Sequence, residues 1–230
     1  AKKCQIILLK PTSMNAIYHH IQTIGQIFKQ VEKAQKCISD IQTQLHLISE
    51  KVSEIPENKR KRVARLMGRD SLMTPGINSF QNEYIRAAGG IPHSIDKKGQ
   101  IIPVTLAEWK NFNPQMIYGC GGDRYLEDTL FQKSGWKDVD AIKQGNIHYF
   151  PCELTCRAST QTAYFVTWLS ATLYPELFQE KAKKIYPEKI FQTQDVDLSL
   201  SFVRTAKIAF SHVNDLVCKT LMIDFKHPQY

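Results

Sequence analysis

The chain has 230 residues, room for one large or two small domains. Its 43% hydrophobic and 23% charged residues are ordinary for a globular protein, and no apolar run reaches the roughly 18 residues that a membrane-crossing helix needs. The formal net charge of +8 favours anionic partners or simply solubility. The densest basic run, Lys59-Arg60-Lys61-Arg62, has no interleaved aromatics and leads into an apolar strand, Val63–Met67. It reads as a solvated turn, and no nucleic-acid partner is expected. Six cysteines (Cys4, Cys37, Cys120, Cys152, Cys156 and Cys218) are too sparse for a disulfide-built miniprotein. Their even number permits bridges without demanding them.

Residues Ala1–Lys10 are too short and too polar for a signal peptide, and Ile6–Leu9 reads as a strand of a chain that begins in mid-fold. Thr12 or Ser13 can cap a long helical region. In it Ile17, Ile21, Ile24, Phe28, Val31, Ala34, Ile38, Ile41, Leu45 and Ile48 recur at helical spacing, to about Val52. Gly25 is the expected bend, giving a short helix and then a longer one. Polar Gln22, Lys29 and Gln42 spoil a heptad seam, although a helix-mediated structural dimer stays as an alternative.

From Arg60 the pattern alternates. Arg62–Met67 reads as a strand. Ser79–Ala88 reads as a helix stopped by Gly89-Gly90, and Thr105–Phe112 as a helix with Thr105 and Glu108 as a capping box. A strand at Met116–Tyr118, a helix at Arg124–Ser134, a strand at Asn146–Phe150 and a helix at Thr160–Tyr174, closed by Pro175, come next. This predicts an α/β fold with a parallel or mixed sheet flanked by helices, and a ligand beyond the carboxyl ends of the strands. Leu198–Phe210 and Val217–Phe225 read as strands of a β-rich C-terminal tail.

Several motifs then read together: Pro75-Gly76-Ile77-Asn78-Ser79-Phe80-Gln81-Asn82-Glu83-Tyr84-Ile85, Ala87-Ala88-Gly89-Gly90, Val104-Thr105-Leu106-Ala107-Glu108-Trp109 and Asn113-Pro114-Gln115-Met116-Ile117-Tyr118. Gly135-Trp136, Ala141-Ile142-Lys143-Gln144-Gly145-Asn146-Ile147-His148 and Leu173-Tyr174-Pro175-Glu176 continue the series. Their order over about 60–178 resembles the C-terminal lobe of the helical-linker substrate-binding proteins of ABC importers for iron–siderophore, haem and cobalamin. The resemblance implies a remnant of an N-terminal lobe at 1–13, a long interlobe helix at 14–58, a Rossmann-like substrate-binding lobe at 59–190 and a tail of unassigned role at 191–230. It implies a binding protein rather than an enzyme, with no cofactor of its own. The ligand would be an iron chelate (siderophore or haem) or a corrinoid, so the cargo itself carries iron or cobalt. The implied partner is an ABC permease in the membrane, and the implied location is extracytoplasmic, in the periplasm or as a surface lipoprotein. In such proteins a glutamate of the helix that carries Glu83 docks on permease arginines, which makes Glu83 the docking candidate, and an arginine or aromatic is often placed where Arg157 stands, against the ligand.

The residues themselves add candidates. Ser79 can cap its helix, whose free N–H groups would face the cleft. Gly119-Cys120-Gly121-Gly122-Asp123 comes after a strand end, where glycines admit close approach of a ligand to Cys120 and Gly121. It lacks the Gly-Lys-Ser/Thr ending of a phosphate loop. Cys152 and Cys156 lie just past the next strand end. Cys120 with either of them leaves three states open: a disulfide, soft-metal ligation, or reduced thiols lining the cleft. No metal ligand and no catalytic residue is assigned. Trp109, Trp136 and Trp168 read as core. In the tail, Lys219–Phe225 resembles the opening strand of adenosylcobinamide amidohydrolases, which leaves the binding module of a corrinoid-salvage fusion enzyme as a further alternative.

Overall fold

The computed structural model describes residues 6–68, 71–93 and 95–178. The expected tail strands, Cys4 and Cys218 lie outside the described residues.

The helical region forms in two pieces, α1 (Met14–Ile27) and α2 (Val31–Ser53). Ser13 caps α1 by accepting the Ala16 N–H at 3.1 Å. The break falls at Phe28–Gln30, three residues beyond the expected bend. Lys29 takes a left-handed φ of 54°, Gln30 N–H donates to the Gly25 carbonyl at 2.7 Å, and Lys29 N–H donates to Gln26 at 3.2 Å. This is a Schellman stop built without glycine at its left-handed position. Gly25 serves another purpose: a Cβ there would lie 2.4 Å from Ala34 Cβ, so its bare backbone lets α2 approach α1. Buried Ala34, Cys37, Ile38, Ile41, Ile48 and Val52 form one stripe of α2. Cys37 and Ile41 pack on Ala163, with Tyr18 and Ile21 of α1 alongside.

The strands are β1 (Arg62–Arg65), β2 (Met73–Pro75), β3 (Ile91–Pro92), β4 (Ile101–Pro103), β5 (Met116–Cys120) and β6 (Ile147–Phe150). The remaining helices are α3 (Phe80–Ala87), α4 (Leu106–Phe112), α5 (Tyr125–Asp128), α6 (Asp140–Lys143), α7 (Cys152–Thr155) and α8 (Thr162–Leu173). The main sheet is parallel, in the order β3-β1-β5-β6; β2 and β4 make a separate antiparallel pair. From β1 the chain goes to β3 on one side and then to β5 on the other. The order therefore reverses between β1 and β5, where open α/β sheets form their ligand crevice.

Both sheet faces are covered, as a parallel sheet requires. On one, Ala64, Leu66 and Ile117 join Trp109, Phe131, Val139 and Ala141 in a core cluster, with Trp136 against it. On the other, Tyr118, Phe150, Phe165 and Tyr84 form a chain of ring contacts with centroids 5.5–6.0 Å apart. Trp168 meets Phe150 edge-on at 4.9 Å. The caps of α3 and α4 form as expected: Ser79 accepts from Gln81, and Thr105 with Glu108 closes a capping box. Gly89 ends α3 with φ +87°, and its carbonyl accepts the Tyr174 hydroxyl at 3.0 Å.

Two expected elements differ, and one strand pair was not expected. Ile6–Leu9 is not a strand; these residues are exposed and have no ladder partner among the described residues, without which a strand does not persist. The helix expected over 124–134 is regular only as α5. Beyond it Phe131 N–H reaches back to Leu126 at 3.0 Å, a widened turn that seats the buried Phe131 ring on Trp109. The pair β2–β4 has no counterpart in the sequence pattern, because three-residue strands ending in Pro75 and Pro103 carry almost no alternation. The basic run is tied into the fold rather than freely solvated. Lys61 Nζ donates to the Leu173 carbonyl at 2.5 Å, and Arg62 Nε donates to the Asn113 carbonyl at 2.9 Å.

Candidate functional site

Three strand ends meet at the switch point. Arg65 closes β1, Cys120 closes β5, and β6 runs through Pro151 into α7, which carries Cys152. Parallel register sets Arg65 beside Tyr118 and Cys120 beside Phe150. The backbone N–H of Cys156 bonds the Cys152 carbonyl at 2.8 Å, so the two cysteines sit one helical turn apart on one side. The sulfurs of Cys120, Cys152 and Cys156 all lie within 4.8 Å of one another. Cys120 is buried; Cys152 and Cys156 are exposed, and all three are free thiols.

Beneath them lies a buried charge pair. Arg65, only 2% exposed, donates from Nη1 to Asp123 Oδ2 at 2.8 Å, and the same oxygen accepts the Cys120 N–H at 2.8 Å. Arg65 Nη2 reaches Cys156 Sγ at 3.4 Å, and the guanidinium lies over the Tyr118 ring at 5.5 Å. The Tyr118 hydroxyl and Arg65 Nε are buried without a partner. The Cys156 thiol is held down at about 5, first by the hydrogen bond from Cys120, then by the Thr155 hydroxyl and Arg65, against the opposing effect of burial. The Cys120 thiol is pushed well above its usual range, first by donating to Cys156, then by burial and by its bond to Cys152. Cys120 thus donates toward Cys156, whose sulfur also lies against the Arg65 guanidinium.

The six sequence candidates separate. Cys120 and Cys152 come together. Gly121 lies next to them, exposed, and a Cβ there would meet nothing within 4 Å, so it faces open space. Arg157 is exposed immediately after Cys156 and forms no ion pair among the described residues. Ser79 is buried, and its hydroxyl accepts the Gln81 N–H. Glu83 is half-buried, and its Oε2 accepts the Met14 N–H at 2.6 Å, tying α3 to the start of α1. A separate depression of about 390 Å³, lined by Arg62, His93, Ile95, Glu108 and Phe112 among others, holds none of the thiols.

Sequence reasoning missed Arg65 and Asp123. The available signal was a lone charge inside Val63-Ala64-Arg65-Leu66, a run otherwise apolar as buried parallel strands are. Such a charge must find a partner, and an aspartate at the end of the neighbouring strand's loop was the natural one.

Residues 1–154 match the family model described as periplasmic binding protein. An uncharacterized ABC transporter substrate-binding lipoprotein of Bacillus subtilis (strain 168), YvrC, is 24% identical over 169 residues. That match covers 73% of this chain and 53% of YvrC, so the chain spans about half the length of this curated relative. An ABC transporter substrate-binding protein from Listeria monocytogenes EGD-e superposes with TM-score 0.64 at 20% identity, over 74% of this chain and 67% of that one. The periplasmic heme-binding protein RhuT from Roseiflexus sp. RS-1 gives 0.63 at 20%, over 72% and 64%. The molybdate periplasmic binding protein MolA from Haemophilus influenzae gives 0.63 at 18%, over 73% and 52%. No helix among the described residues is long and apolar enough to cross a membrane. The superpositions speak for the fold; the match over two-thirds of the sequence shows that the chain belongs to the periplasmic binding protein family.

Proposed function

We propose that this chain supplies the linker helices and the C-terminal lobe of the substrate-binding component of an ABC importer, acting outside the cytoplasm. Its cargo would be a bulky metal chelate, an iron–siderophore, haem or a corrinoid, handed to a membrane permease. The observation that carries the reading is the convergence of Cys120, Cys152 and Cys156, with Gly121 beside them, at the carboxyl edge of β5 and β6, next to the reversal of strand order between β1 and β5. Family membership and the haem and molybdate named for RhuT and MolA support a metal-bearing cargo. The packing of Cys37 and Ile41 of α2 on Ala163 of α8 supports small lobe movements on binding rather than wide hinge closure.

Tryptophan fluorescence tests the cargo. Trp168 rests on Phe150, two residues before Cys152, so a bound chromophoric chelate would quench it. Haem, cobalamin, cobinamide and ferric siderophores are titrated into protein that includes the N-terminal lobe. Sub-micromolar quenching by one of them is expected; no response to any removes the chelate reading. Glu83 is proposed to dock on the permease from the corner where it holds Met14. Glu83→Arg should abolish uptake and leave ligand affinity unchanged, with Glu83→Gln, which keeps an acceptor for Met14, as the folding control. A loss of ligand affinity in Glu83→Arg would sink the docking assignment.

A further inference from the structure

We propose that Cys120, Cys152 and Cys156 form a three-sulfur site that directly binds one soft, thiophilic metal cation of the copper(I), zinc or cadmium kind. This goes beyond chelate capture, in which the cargo brings its own ligands, and it needs only residues of this chain. A cation held at about 2.3 Å from each of three sulfurs sets them about 4 Å apart. Sulfurs already within 4.8 Å of one another need to close by less than about 1 Å. The backbone supplies the rigidity. Cys120 sits on the last residue of a central strand, and Cys152 and Cys156 project from a single hydrogen-bonded turn.

The buried charges at the site are already paired with one another. Arg65 is buried beneath the sulfurs, and Asp123 neutralises it at 2.8 Å. Asp123 is already occupied by Arg65 and by the Cys120 N–H, so it supports the ligands without being one. Arg65 Nη2, at 3.4 Å from Cys156 Sγ, orients that sulfur in the manner of outer-shell partners around metal ligands. Three thiolate-type ligands select soft ions over magnesium or calcium, which take oxygen. With Cys120 buried and the other two exposed, a fourth coordination position would open toward the solvent beside Gly121.

The test uses the full chain, reduced and kept under anaerobic conditions, with Cys4 and Cys218 replaced by serine so that the signal reports the described cysteines. Cadmium(II) alone is the probe. One equivalent should produce a sulfur-to-metal charge-transfer band and protect Cys120, Cys152 and Cys156, but not Cys37, from extra alkylation in peptide mass spectra. Magnesium and calcium should produce neither effect. Cys120→Ser, Cys152→Ser and Cys156→Ser should each weaken cadmium binding at least tenfold, with unchanged circular dichroism. Absence of the band, or full binding by Cys152→Ser and Cys156→Ser, overturns the proposal. Failure here leaves chelate binding untouched, and a failed chelate titration leaves this ion site untouched.

Discussion

Burying Arg65 within the sheet forfeits several kcal/mol of hydration, which only a well-placed counter-charge and hydrogen bonds recover. Asp123 provides both, because its Oδ2 also holds the Cys120 N–H. Asp123→Ala should therefore cost about 3 kcal/mol in urea unfolding, the usual scale for breaking a buried pair on one side. The half-exposed pair Arg62–Asp140, at 3.6 Å, offers a contrast, and Asp140→Ala should cost under about 1 kcal/mol. Comparable losses at the two sites would refute the difference in burial as its cause. His93 gives the pH dependence. It is buried, stacks on Phe112 at 4.3 Å, and titrates at about 4, chiefly because burial disfavours its charged form. Its unfolded value is near 6.5, so between pH 6.5 and 4 the unfolded chain binds the extra proton and stability falls as the pH drops. His93→Gln should remove that part of the slope in chemical denaturation measured across the window. An unchanged slope in the variant would place its origin elsewhere.

At the scale of elements, local chemistry decides where helices start and stop. The capping box of α4 was readable from Thr105 and Glu108 alone, and the stop of α3 from Gly89-Gly90, because each needs only neighbours within four residues. Thr105→Ala should lose about 1 kcal/mol. Lys29 occupies a left-handed position with a side chain that disfavours it, so Lys29→Gly should raise stability by about 0.5–1 kcal/mol in thermal unfolding, and a loss would contradict the strain. The early end of α5 shows the opposite case. Nothing between 124 and 134 forbids a longer helix; the seat for Phe131 on Trp109, 22 residues earlier in sequence, requires the widened turn. Gly25 is similar: its presence signalled a special backbone position, but its reason is the approach of Ala34.

For the whole molecule, the sheet order sets the hierarchy of stability and the location of the site. β1 and β5 are paired on both sides, while β3 and β6 are edges among the described residues. Amide exchange should therefore be slowest at Ala64 and Ile117 and faster in β3, and equal rates would argue against this order as the core of cooperativity. The α/β class, the parallel alternation, the helix caps and the family resemblance were all legible in the chain, since each is written in spacings within a few residues or in the order of motifs. The sequence also set Cys120 after one strand and Cys152 with Cys156 on one turn after another. That these three sulfurs meet, and that Arg65 finds Asp123 beneath them, was decided only by the tertiary structure. Contacts between residues tens of positions apart depend on which strands become neighbours, and that choice is made by burying both faces of the sheet at once, a property of the packed whole rather than of any local stretch.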